Sequence, residues 1–205
     1  LHTHIPPYSC LQLQVVMSTW SSHLLKATYE DERRLLHLTK NFDEDGDGEL
    51  DEVVEVREAL WKFSKIVYSS YDYFAALGSH DDVTVVHFNS FRNFVSSCDI
   101  ALPGSTDCEE RHLDQLFVAV NASTQRDKSQ QGTKPADMYD DTLSLNRNEW
   151  MQLIVRIAVA RYIKTGEETD VSDALLRLFD EKIYANLDKV ALHDADAFRA
   201  RCCYT

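Results

Sequence analysis

Asp43, Asp45 and Asp47 stand at alternate positions, and Gly48 follows them, in the stretch DEDGDGELDEVV from Asp43 to Val54. Three carboxylates spaced two apart in an extended segment repel one another strongly unless a counter-ion lies among them. A hard divalent cation relieves that repulsion, so oxygen ligation of such an ion is the chemistry these residues offer. Gly48 supplies the backbone freedom for the sharp turn that wraps the ion. Glu49 then offers its main-chain carbonyl, and Asp51 acts directly or through a water molecule.

These residues resemble the EF-hand family, whose loop reads D-x-[DN]-x-[DN]-G followed by five residues and a Glu. Numbered from Asp43, the loop matches at its first, third, fifth, sixth and ninth positions. Leu50 fills the eighth, where the family places an apolar residue that pairs with a partner loop. The twelfth departs from the pattern: Val54 stands where the family has a bidentate Glu, and Glu55 comes one residue late. Either the loop carries an extra residue and Glu55 still reaches the ion, or Glu52 or water completes the shell, or calcium affinity is poor. The resemblance implies a metal site built from Asp43, Asp45, Asp47, Glu49, Asp51 and Glu55. Its ion is calcium, with magnesium as the alternative, because magnesium keeps a smaller octahedral shell and does not demand the bidentate ligand.

The elements that must position this loop are helices. Leu35, Leu36, Leu38 and Phe42 recur at helical spacing behind the acidic first turn Glu30, Asp31 and Glu32, which predicts a helix over 28–42 leading into the loop. Beyond the loop, Val53, Val56, Leu60, Phe63 and Val67 line one core face of a segment without Gly or Pro until Gly78. A second, degenerate loop is expected over 79–90. Val86 falls at its eighth position, with Tyr71, Phe74 and Leu77 at core spacing before it and Phe91 and Phe94 after it. Ser79, Val83 and Ser90 replace the oxygen donors there, and Thr84 replaces the turn glycine. The pattern resembles a pseudo-EF-hand that keeps the fold and has lost the ion; a plain helical hairpin is the alternative.

Pro103, Gly104 and Ser105 mark a boundary, after which a helix beginning near Glu109 places Leu113, Leu116, Phe117 and Val120 on one side. Further on, Leu145, Glu149, Trp150 and Leu153 recur at the intervals of the eighth, twelfth, thirteenth and sixteenth loop positions, a third EF-hand-like end. The polar stretch 122–142 between them reads as a mobile insertion, and Glu149 as the cap of a loop that no longer encloses an ion. The helix from about Asn148 to Lys164 is apolar around most of its circumference, with Gln152, Arg156 and Arg161 as a narrow polar stripe, and should be the central core helix. Another begins after Thr169 and Asp170, one of them its N-cap, and carries Val171, Leu175, Leu178, Phe179 and Ile183. With the closing AFRARCCYT it resembles a fourth, degenerate hand. The expected fold is therefore all-α: an N-terminal segment 1–27, an EF-hand pair over 28–102 and a second EF-hand-like lobe over 103–205.

Composition narrows the function classes. The chain has 205 residues, 44% of them hydrophobic, enough for a sizeable core. A formal charge of −13 disfavours a nucleic-acid surface and favours metal ions or basic peptides as partners. Cys10, Cys98, Cys108, Cys202 and Cys203 form no C-x-x-C pair and are odd in number, which indicates neither a disulfide framework nor a zinc ribbon and points to a reducing, cytoplasmic location. No membrane span or secretory signal is read, and a chain opening at Leu1 is taken as a piece of a longer protein. His2 and His4 with Cys10 do not amount to a metal site. Nothing lowers the thiol pKa of Cys202 or Cys203. Phe88, Phe91 and Phe94 read as core. With no phosphate loop, no G-x-S-x-G elbow and no H-E-x-x-H, the chain is not read as an enzyme.

What the resemblance implies is a calcium-binding or calcium-modulated EF-hand adaptor acting through protein–protein interaction, its partner a basic or amphipathic helix. The alternative is a calcium-insensitive EF-hand-like scaffold in a cytoskeletal or ciliary assembly.

Overall fold

The computed structural model describes residues 51–78, 83–130, 143–188, 190 and 191. The expected helix over 28–42, loop residues 43–50, Ser79 and the closing AFRARCCYT lie outside them. Within the described residues the chain is mostly helical, as an all-α reading requires.

Helix α1, Asp51–Lys62, ends on a lysine that complements the negative end of the helix dipole. It buries Val56, Ala59 and Leu60, an i, i+3, i+4 stripe. The segment that carries no Gly or Pro until Gly78 forms two helices, with a break at Phe63, after which α2 runs Ser64–Gly78. Backbone bonds from Phe63 N to Ala59 O (3.2 Å) and from Val67 N to Phe63 O (3.0 Å) carry the ladder across the break. Val67, Tyr71, Phe74 and Ala75 are buried.

Leu77, expected in the core, is instead 46% exposed. The buried stripe 67, 71, 74 and 75 ends at Ala75, and the last turn of α2, with Leu77 and Gly78, is exposed. Gly78 is there for a close approach: a Cβ on it would meet Ser90 Oγ at 2.6 Å and His87 Cδ2 at 3.1 Å.

Strand β1, Val86–His87, leads directly into α3, Phe88–Ser97. Asp99 ends that helix in the left-handed region (φ 48°), and the Ile100 amide turns back to the Val95 carbonyl at 3.1 Å. A turn through Gly104 (φ 81°) precedes α4, Glu110–Gln130, which buries Leu113, Phe117 and Val120. Helix α4 continues through Ala122–Gln130, so the first part of the stretch expected as an insertion is helical. No Gly or Pro interrupts it before Gly132, and Gln, Arg and Lys are good helix formers.

Strand β2, Ser144–Leu145, is followed by α5, Arg147–Ala158, which continues as a π-helical run, Val159–Ile163. From Glu149 to Ala160 every residue except Gln152 is buried, so α5 is the central helix that its apolar circumference predicted. Helix α6, Val171–Arg177, starts on Asp170, whose carboxylate accepts from the Ser172 and Asp173 amides, and passes into a second π-helical run, Leu178–Tyr184. Val171, Leu175, Leu178, Phe179 and Ile183 are all buried, as expected.

The core is one connected cluster spanning both sides of Pro103. Trp150 of α5 lies 6.3 Å edge-on from Tyr71 and 4.8 Å from Phe94, and Phe94 lies 5.3 Å from Phe74. Phe91 and Phe88 both pack on Phe117, at 5.0 and 5.3 Å. The three phenylalanines of α3 are thus packing residues. Among the described residues no helix is long and apolar enough to cross a membrane.

Two outcomes follow. Gly78→Ala is expected to destabilise the protein by about 1–2 kcal/mol, because Ser90 is buried and has little room to retreat, seen as a lower urea midpoint at unchanged slope. Lys182 holds the Asp99 carboxyl below the usual range by hydrogen bond and charge, and Thr106 and Lys164 do so for Asp107. A depressed folded pKa gives stabilisation that is complete above the unfolded value of about 3.9 and is lost as pH falls through the folded pKa. Unfolding followed from pH 6 down to about pH 2 should therefore show a decline beginning near pH 4 that is shallower in Lys182→Ala.

Candidate functional site: the paired loop ends

Val86 and Leu145, each an eighth loop position in the sequence pattern, pair with one another. The register is antiparallel, Val86 opposite Leu145 and His87 opposite Ser144, and the Phe88 amide donates to the Leu143 carbonyl at 3.1 Å. Helices α2 and α4 lead toward the two strands, and α3 and α5 lead away. Side chains from the incoming helices hold the loop backbones in place. The Tyr71 hydroxyl donates to the Thr84 carbonyl and also lies 3.3 Å from the Leu145 carbonyl, while Asn121 Nδ2 donates to the Ser144 carbonyl at 2.6 Å.

The residues after β2 decide the chemistry. Asn146 caps α5: its Oδ1 accepts from the Asn148 amide at 2.9 Å and the Glu149 amide at 3.1 Å, and Glu149 Oε2 accepts from the Asn146 amide at 2.7 Å. This reciprocal capping box satisfies helix-terminal donors that would otherwise be orphaned. The Glu149 side chain, in a residue only 5% exposed, is committed to starting a helix.

Arg147, the first residue of α5, reaches back to α2. Its Nη2 donates to Asp72 Oδ1 at 2.9 Å, where the Asp72 side chain is fully buried. The guanidinium also lies over the rings of Tyr68 and Tyr71, 5.6 and 5.4 Å from their centroids. Tyr71, Val83, Thr84, Asn146 and Arg147 line a cleft of about 380 Å³. A guanidinium on that wall disfavours a cation there. Among the described residues no group of three or more His, Cys, Asp or Glu side chains is gathered as a metal ion would need.

Of the residues expected to hold an ion, Asp43, Asp45, Asp47 and Glu49 lie outside the described residues. Asp51 opens α1, and Glu55 is exposed one residue after the half-buried Val54 on the same helix. Cys98 and Cys108 are free and fully buried, and burial pushes their thiols up to about 12 and about 11. Thiols so shifted are poor nucleophiles and poor metal ligands at neutral pH.

Sequence reasoning missed the Asp72–Arg147 pair. A single Asp on an apolar helix face was its only local signal. The Asn146-x-x-Glu149 spacing, by contrast, is a capping-box signature readable from the sequence.

Arg147→Ala leaves a fully buried carboxylate without its guanidinium and should destabilise the fold by about 3 kcal/mol, the lower end of the range for broken buried pairs because Arg147 is partly open to solvent. Glu149→Gln retains the capping geometry and should stay within about 0.5 kcal/mol of wild type, whereas Asn146→Ala should lose about 1 kcal/mol. Urea unfolding in calcium and in chelator should give the same ranking. No protein-family model, curated protein or solved structure matches the chain.

Proposed function

We propose that this protein is an EF-hand-like, calcium-modulated adaptor that acts through protein–protein contact. In this reading ion response belongs to loop 43–54, and the unit from α2 to α5 is an ion-independent frame. The observation that carries the reading is the antiparallel pairing of Val86 with Leu145 between two helix–strand–helix units, at the two positions where the sequence pattern places eighth loop residues. An ion bound at Asp43, Asp45, Asp47 and Asp51, with the Glu49 carbonyl and Glu55 or water completing its shell, neutralises their mutual repulsion and reorients the flanking helices. The partner suited to a chain of net charge −13 is a basic or amphipathic helix.

A second reading, a calcium-insensitive scaffold, is favoured by a separate observation. The Asn146–Glu149 box and the Arg147 guanidinium remove the paired loop ends from cation chemistry, and Val54 weakens the remaining loop.

Calorimetric titration of the metal-stripped protein with calcium, repeated with magnesium and with an Asp43→Ala, Asp45→Ala double mutant, separates the two. The adaptor reading expects saturable binding near one equivalent, micromolar or tighter in the wild type and absent from the mutant. Heat no greater than dilution with either ion leaves the scaffold.

A further inference from the structure

Helix α1 begins within loop 43–54, at Asp51, and it is docked away from the paired loop ends. Its most extensive packing partner is α6, more than a hundred positions later in the chain. Val56, Ala59 and Leu60 are buried on its inner face. At its end the Phe63 ring stacks on Phe179, with centroids 4.7 Å apart and planes 15° from parallel. Phe179 belongs to the π-helical run Leu178–Tyr184 that continues α6.

The π-helical run gives that end of the molecule an irregular element. A π-helical run is rare, and returning it to α-helix displaces the following residues by one register step, so it offers two discrete arrangements rather than a continuum. Around the buried side chains of Val171, Leu175, Leu178, Phe179 and Ile183, partly exposed ion pairs add further contacts. Arg177 meets Glu181 at 2.8 Å, Glu168 at 3.0 Å and Glu167 at 3.3 Å, and Lys182 meets Asp99 at 2.8 Å. Such pairs hold weakly and exchange easily. Tyr162, in the other π-helical run, lies under the Arg177 guanidinium at 4.7 Å, so the two irregular runs meet at one cluster. The frame of α2, α3 and α5 centres on the Trp150, Phe94 and Phe74 rings.

We propose that α1 and the segment 171–184 form a mechanical relay. Displacement of α1 passes through the Phe63–Phe179 stack into the π-helical run, while the α3–α5 frame stays fixed. The trigger, an ion at loop 43–54, rests on the function proposed above; the mechanical link does not.

Hydrogen exchange read by mass spectrometry on the full chain tests the relay in two arms. Without added ion, Phe63→Ala should speed amide exchange in 178–184 by about threefold to tenfold, the equilibrium effect of losing one aromatic pair. Helices α3 and α5 should not change, and neither should 178–184 in the control Trp61→Ala, whose side chain is exposed on the same helix. The milder Phe63→Leu should move exchange in the same direction if the alanine variant does not fold. Unchanged exchange in 178–184, or an equal rise in every helix, overturns the relay.

In the second arm calcium is added to wild type. Changed protection in both 51–62 and 171–184 supports relay and trigger together, and change confined to 51–62 overturns the relay. No change anywhere removes the calcium trigger, and the Phe63 variants alone then decide the link.

Discussion

The antiparallel pairing of Val86 with Leu145 is the constraint on which the rest of the described structure depends. It joins residues far apart in the chain, and closing so long a loop is entropically unfavourable before any contact forms. Two short strands cannot offset that on their own. The offset comes from what the pairing brings together: Tyr71 from one side, Asn121 from the other, and beneath them Trp150 between Tyr71 and Phe94. The directions of four helices follow, because α3 and α5 each begin within a residue or two of a strand and α2 and α4 each contribute a side chain that holds a loop carbonyl.

The same pairing places polar groups at the start of α5, and each is answered locally. Asn146 and Glu149 satisfy one another's backbone, and Arg147 turns back to the buried Asp72 across its two tyrosine rings. Arg147 supplies from within the protein the charge balance that the buried Asp72 carboxylate requires. A carboxylate matched by a fixed guanidinium has no need of a metal, and the region can stay assembled in its absence.

Much of this was legible in the sequence. The circumference of the Asn148–Lys164 segment announced a central helix, and the spacing of Val171, Leu175, Leu178, Phe179 and Ile183 gave another, because burial on one face leaves a periodic trace. Val86 and Leu145 were each legible as loop positions. That they pair with each other was not, since periodicity describes one segment at a time and carries no information on which segment it meets. Leu77 was misplaced because the buried stripe of α2 ends at Ala75, and periodicity does not tell where a helix leaves the core. The helical course of Ala122–Gln130 was hidden by its polarity, which reports exposure rather than backbone shape. The ion loop, the clearest motif in the chain, remains a reading of Asp43, Asp45 and Asp47 in sequence, while α1 beside it has a defined place.

Cys98 and Cys108 give the molecule an internal clock. Both sulfurs are sealed in the core, Cys98 at the end of α3 and Cys108 just before α4, and that burial suppresses their ionisation. Alkylation requires an exposed thiolate, so a reagent present in excess modifies these two positions only in molecules whose core has opened. The mass added to the peptides that contain them then counts opening events in native buffer, in a population where unfolded chains are too few for a spectroscopic signal.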